Sequence, residues 1–199
     1  MLYGVLMRYL IAVLVSAIIV GCTSFKYTRP SSVPPTENVV TLDAPFNDAW
    51  TTLVDYAGAS FFGIDGFEKE SGLMTLTFGA GEPERFIDCG YYEASGYGAA
   101  RGPYVEILGK NTETDLTGRM NLVLREVGET QSKLTVNARY VYQIAYVEDG
   151  RYARADWVFE SGTSASKSLG DWPEPIKCQP TGAAERAILD GVQERLANR

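Results

Sequence analysis

The spacing of apolar residues changes period several times along this chain, and each change predicts an element. Val39-Val40-Thr41-Leu42 reads as a short strand on its β-branching. Asp43-Ala44-Pro45 predicts a helix start, with Asp43 as the cap and proline in the first turn. Phe46, Ala49, Trp50, Leu53, Val54 and Ala57 then recur at three-and-four spacing, which places them on one buried face, Trp50 included. Residues 61–67 and 73–78 read as two strands around the turn Glu68-Lys69-Glu70-Ser71-Gly72. In the second, Met74, Leu76 and Phe78 alternate with Thr75 and Thr77, the pattern of a half-buried antiparallel strand. Residues 118–127, 132–146 and 151–161 give three more strands joined by polar, Gly-containing turns, a β-meander. Ala184, Ile188, Leu189, Val192 and Leu196 make the apolar stripe of a closing helix over 181–197.

Between these elements the periodicity lapses. Residues 23–38 hold three prolines and several hydroxyl residues, so they read as a flexible tether that reaches about 55 Å when extended. Residues 79–103 contain six glycines and a tyrosine-rich piece, and favour loop over regular structure. Tyrosine beside glycine and serine suits protein-binding surfaces, since the ring offers large amphipathic area with few torsions to freeze. Tyr91, Tyr92 and Tyr97 are therefore the candidate partner surface. Residues 104–107 suggest a short strand, 112–118 a connection, and 162–180 a polar connection. The predicted class is α+β: an antiparallel sheet in the order β-α-β-β-meander-α, with two helices packed on one face.

The first 21 residues have a different character. A start bearing Arg8 leads into an apolar run over 9–20 broken only by Ser16, and Ile19-Val20-Gly21-Cys22 closes it. The run after Arg8 is short for a span, which needs about 20 apolar residues, so an export signal is expected. The four closing residues resemble the lipobox of bacterial lipoproteins. The resemblance implies cleavage before Cys22, lipid on its thiol, and membrane attachment that several acyl chains make essentially permanent. Thr23 stands where an aspartate would favour the inner membrane, so the periplasmic face of the outer membrane is the expected site and the inner membrane the second. The expected organisation is a signal peptide over 1–21, lipidated Cys22 with its tether over 22–38, and one periplasmic domain over 39–199.

Composition narrows the chemistry. The chain carries 25 acidic and 18 basic residues, net −7, which gives no electrostatic reason to bind nucleic acid or anionic lipid headgroups. It has no histidine, which removes the commonest general base, the usual nucleophile triads and most zinc sites. No dinucleotide or phosphate-binding glycine loop and no calcium-loop spacing occur, so no cofactor and no metal are expected. Glu82, Glu84 and Asp88 near Arg85 read as ordinary acidic density rather than a carboxylate pair for catalysis. Of the three cysteines, a lipidated Cys22 leaves Cys89 and Cys178 as an even pair in an oxidising compartment, where a disulfide is the default. A nucleophilic Cys89 is the competing reading, and no histidine is present to activate it.

The segments Thr41-Leu42-Asp43-Ala44-Pro45-Phe46-Asn47-Asp48-Ala49-Trp50 and Phe67-Glu68-Lys69-Glu70-Ser71-Gly72-Leu73 resemble the openings of BamC-like lipoprotein domains. That resemblance implies a helix-grip-like fold and an accessory place in an outer-membrane assembly. The expected function is a non-catalytic docking subunit of a cell-envelope machine, held to the membrane by Cys22 and bound to an envelope protein. The alternative is a lipoprotein that carries a small hydrophobic ligand.

Overall fold

The computed structural model describes residues 24–31, 37–96, 99–148, 150–170 and 174–198. In chain order the elements are β1 (Ser24–Thr28), β2 (Val39–Leu42), α1 (Phe46–Ala59), β3 (Gly63–Glu68), β4 (Leu73–Gly79), β5 (Ile87–Asp88), β6 (Tyr91–Ser95) and β7 (Ala100–Pro103). They continue with α2 (Tyr104–Asn111), β8 (Glu113–Gly128), β9 (Gln131–Glu148), β10 (Arg151–Glu160), β11 (Ala165–Lys167), β12 (Ile176–Pro180) and α3 (Ala183–Ala197). The chain is mixed α+β, dominated by antiparallel strands, as the pattern predicts.

The frame is the hairpin of β8 and β9, in register from Glu113↔Ala145 to Glu126↔Ser132, with a shift before Gly128↔Gln131 at the turn. Leu116, Met120, Leu122 and Leu124 on β8 face the same side as Leu134, Val136, Tyr140 and Tyr142 on β9, and all are fully buried. Around this hairpin a six-stranded sheet runs β10-β9-β8-β4-β3, with β2 on β9 beyond the end of β10. The period-two alternation that defines a strand thus also defines a sheet with one buried and one wet face.

Helices α1 and α3 cover the buried face. Trp50 and Leu53 of α1 and Ile188 and Val192 of α3 join the strand side chains in one core, each contributing about 1.5–3 kcal/mol by leaving water. The two helices meet where Gly191 lies beneath the ring of Tyr56. A Cβ at Gly191 would run into that ring, whose hydroxyl donates to the Ala187 carbonyl at 2.6 Å. Close approach is what a helical glycine, otherwise costly by about 1 kcal/mol, secures here.

Four local expectations are corrected. Asp43 does not cap α1: Pro45 occupies that position, and its carbonyl accepts the amides of Asp48 and Ala49. The Asp43 carboxylate accepts from Gln131 instead (2.8 Å). Residues 104–107 are not a strand but the first turn of α2, because Tyr104, Val105 and half-buried Leu108 fall on one helical face and Gly90 takes the Tyr104 amide at 2.8 Å. Residues 112–118 are no connection, since β8 starts at Glu113 and pairs with β9 throughout. The 79–103 segment is not mainly loop: it holds β5, β6 and β7, and β6 pairs with both β7 and β1 in a second sheet. A third small sheet, β11-β12-β5, takes up part of the 162–180 connection.

Gly191→Ala should lower stability by about 1–3 kcal/mol despite alanine's better helix propensity, because the Tyr56 ring has to leave its seat. Urea unfolding of the single variant and of Gly191→Ala with Tyr56→Ala checks this. The loss should shrink in the double variant.

Candidate functional site

The expected lipidation site, Cys22, and the third candidate tyrosine, Tyr97, lie outside the described residues. The other candidates meet in one region. Cys89 and Cys178 are joined by a disulfide, with Cα atoms 4.1 Å apart. The bond is buried, and β5 and β12 pair beside it through Asp88↔Gln179 and Ile87↔Pro180.

Next to the bridge lies a contact that composition did not suggest. The 24–28 stretch is not free tether but strand β1, in register with β6 from Ser24↔Ser95 to Thr28↔Tyr91. Its Tyr27 hydroxyl donates to the Cys89 carbonyl at 3.0 Å and accepts the Lys177 amide at 3.0 Å. One side chain thereby grips the backbone on both sides of the disulfide. Its ring meets Tyr104 edge-on with centroids 5.8 Å apart, and burial raises its phenol above the ordinary value. The chain that follows is held as well: Gln179 donates to the Ser31 carbonyl at 2.9 Å, and Arg29 pairs with Glu174 at 3.3 Å. The signal was present in the alternation Ser24-Phe25-Lys26-Tyr27-Thr28, overshadowed by the prolines after it.

Tyr91 and Tyr92 point to opposite sides of β6. Tyr91 is exposed beside Arg101, while Tyr92 is half-buried, with Phe25 at 5.5 Å and Tyr104 at 6.4 Å between ring centroids. Tyr91 is therefore open to solvent, whereas Tyr92 is committed to internal packing. Asp88, one of the acidic cluster, accepts the Gly90 amide at 2.8 Å. Gly90 has a positive φ of 84° and lies hard against the Thr28 carbonyl, so the carboxylate shapes that turn.

The most polar buried group is Glu185 in the first turn of α3. Its carboxylate accepts Tyr140 Oη at 2.6 Å and Ser161 Oγ at 2.7 Å, and Ser161 also receives the Ala138 amide at 2.7 Å. Glu185 and Tyr140 are both 0% exposed, so the network locks helix to sheet and no substrate reaches it. Burial, and then the Glu185 charge, raise the Tyr140 phenol. Burial likewise raises Tyr104 and Tyr142.

The wet face of the large sheet carries the open surface. One groove of about 670 Å3 is lined by Phe61, Thr77, Thr117, Arg119, Arg139 and Val141. Arg119 and Arg139 are cross-strand neighbours, and Asp65 pairs with Arg119 at 2.9 Å. A second groove of about 770 Å3 lies at the β9–β10 end. There Val147 and Tyr152 pair across the strands, 62% and 92% exposed. Among the described residues no three His, Cys, Asp or Glu side chains gather to hold a metal ion, and no helix is long and apolar enough to cross a membrane. No protein-family model, curated protein or solved structure matches this chain.

Replacing Cys89 and Cys178 together by serine should cost up to about 4.6 kcal/mol, the chain-entropy figure for a loop of this length. Urea unfolding reads the loss, and hydrogen exchange should show the amides of 24–28 losing protection with it. A loss below about 1 kcal/mol would mean that packing alone holds the two segments together. A second expectation concerns alkali. The native chain keeps its buried tyrosine protons where the unfolded chain releases them, so their stabilisation is complete below about pH 10 and declines as pH rises above it. Each such group contributes a slope of up to about 1.4 kcal/mol per pH unit. Unfolding midpoints measured across that range should fall, and Tyr142→Phe should flatten the fall.

Proposed function

We propose that this protein is a lipoprotein anchored through Cys22 at the periplasmic face of the outer membrane, where it docks without catalysis on an envelope assembly. The lipobox-like Ile19-Val20-Gly21-Cys22 supports the address, and a disulfide fits an oxidising compartment. A strand, a helix with inward Trp50, a hairpin, a meander and a closing helix fit a helix-grip-like, BamC-like domain.

The observation that carries the docking reading is the bare face of the six-stranded sheet with Val147 and Tyr152 at its tip. A tyrosine 92% exposed beside an exposed valine is the residue chemistry of a contact anchor, a large rigid ring flanked by apolar area. Tyr91 adds an exposed ring on the small sheet, whereas Tyr92 is engaged internally. The alternative, a hydrophobic-ligand carrier, has less support, because side chains of Trp50, Leu53, Ile188 and Val192 fill the space between helices and sheet.

A photoreactive residue placed at 152 should trap an envelope protein in cells of the native host, and one at the exposed Glu194 of α3 should not. Tyr152→Ala should leave the unfolding free energy within about 0.5 kcal/mol, as surface changes do. It should weaken capture of the trapped partner roughly 30-fold, the loss of a contact worth about 2 kcal/mol. Equal trapping from both positions, or none from 152, would remove the docking reading.

A further inference from the structure

The strand register puts Ser24, two residues after the proposed lipidation site, at a defined end of the domain. β1 begins at Ser24, two residues after Cys22, and its Ser24 hydroxyl lies 2.7 Å from that of Ser95 at the end of β6. Two residues span at most about 7 Å. A 16-residue leash would let the domain swing, but the grip of Tyr27 on Cys89 and Lys177, the Gln179–Ser31 bond and the Arg29–Glu174 pair hold β1 and the chain after it in place. Little slack is left.

We infer that the Ser24–Ser95 end of the small sheet is a membrane-facing surface, seated at the headgroup layer of the bilayer that holds the Cys22 lipid. This rests on Cys22 being lipidated. Headgroups form a layer about 5–7 Å deep on each side of the hydrocarbon, comparable to the reach from Cys22 to Ser24. The surface chemistry agrees. Phe25, 40% exposed, stands three residues from the anchor, where an aromatic ring suits the boundary between lipid and water. On the other side of β1, Lys26 and Arg101 flank Glu93 at 4.0 and 3.9 Å. That cross-strand row carries one net positive charge in a chain of net −7, so this end of the domain is locally spared the acidic excess that would repel anionic headgroups.

The test uses the full lipidated protein in vesicles of phosphatidylcholine with a minor share of phosphatidylglycerol. An environment-sensitive fluorophore is carried on a genetically encoded azide residue at 95 or at 129, and lipids with nitroxide headgroups quench it. Site 129 is in the turn between β8 and β9, away from the small sheet, so quenching at 95 should be clearly stronger than at 129. Tyr27→Phe, which removes the grip but keeps the ring, should reduce that difference. A photoreactive residue at 95 in native envelopes should give lipid adducts. Equal quenching at both sites, or protein adducts in place of lipid at 95, would overturn the surface while intact mass and cosedimentation still show a lipidated Cys22. An unmodified Cys22 that leaves the protein in the supernatant would instead overturn the anchor itself, and the seating with it.

Discussion

The bridge between Cys89 and Cys178 holds together elements that could not stand alone. β5 has two residues and β11 three, too few for an independent sheet. The disulfide sets them side by side with β12, across a separation of 89 residues, and thereby fixes where α3 starts relative to the helical turn at Pro83–Arg85. Thr181 confirms the placement in hydrogen bonds: its amide reaches the Phe86 carbonyl at 2.9 Å and its hydroxyl the Arg85 carbonyl at 2.8 Å. Tyr27 reads the same geometry from the other side, because its two partners, the Cys89 carbonyl and the Lys177 amide, flank the bridge.

The large sheet obeys a different constraint. Its inner face is closed by two helices, and the carboxylate sealed there among the described residues, Glu185, has a hydroxyl donor for each oxygen. A buried carboxylate without those donors would cost several kcal/mol, so Tyr140 and Ser161 are as much a part of the core as the leucines around them. The outer face has no such closure. Arg119 and Arg139 face each other across β8 and β9, an arrangement that disfavours the sheet unless something offsets it. Asp65, on the irregular stretch of edge strand β3, answers Arg119, and Glu160 stands opposite Arg139 in register. The bare face is thereby kept compatible with water while its rim still exposes Tyr152.

The two surfaces divide the work in the proposed function. The small sheet, with the anchor-proximal β1, takes the membrane side, and the uncovered face of the large sheet takes the protein side. In that proposal the disulfide, which Tyr27 of β1 grips on both sides, would convert a lipid attachment at one residue into an orientation of the whole domain. A flexible tether would supply the first without the second.

Sequence alone determined what depends on neighbours along the chain. The meander and the two long helices with inward Trp50 and Ile188 follow from periodicity, a local property, and the pairing of Cys89 with Cys178 was expected once the lipobox resemblance set Cys22 aside. The disulfide's location followed too, because the choice of partners was so small. Tertiary structure decided what depends on contacts distant in sequence. Residues 104–107 have strand propensity, yet they turn into a helix because a buried helical face continues to Leu108 and Gly90 caps the first amide. Residues 24–28 look like the start of a leash, yet they pair with a strand some 70 positions away because Tyr27 finds two backbone groups there. Tyr91 and Tyr92 are adjacent in sequence and similar in chemistry; only the β6 pleat, which sends successive side chains to opposite faces, decides which of them a partner can touch.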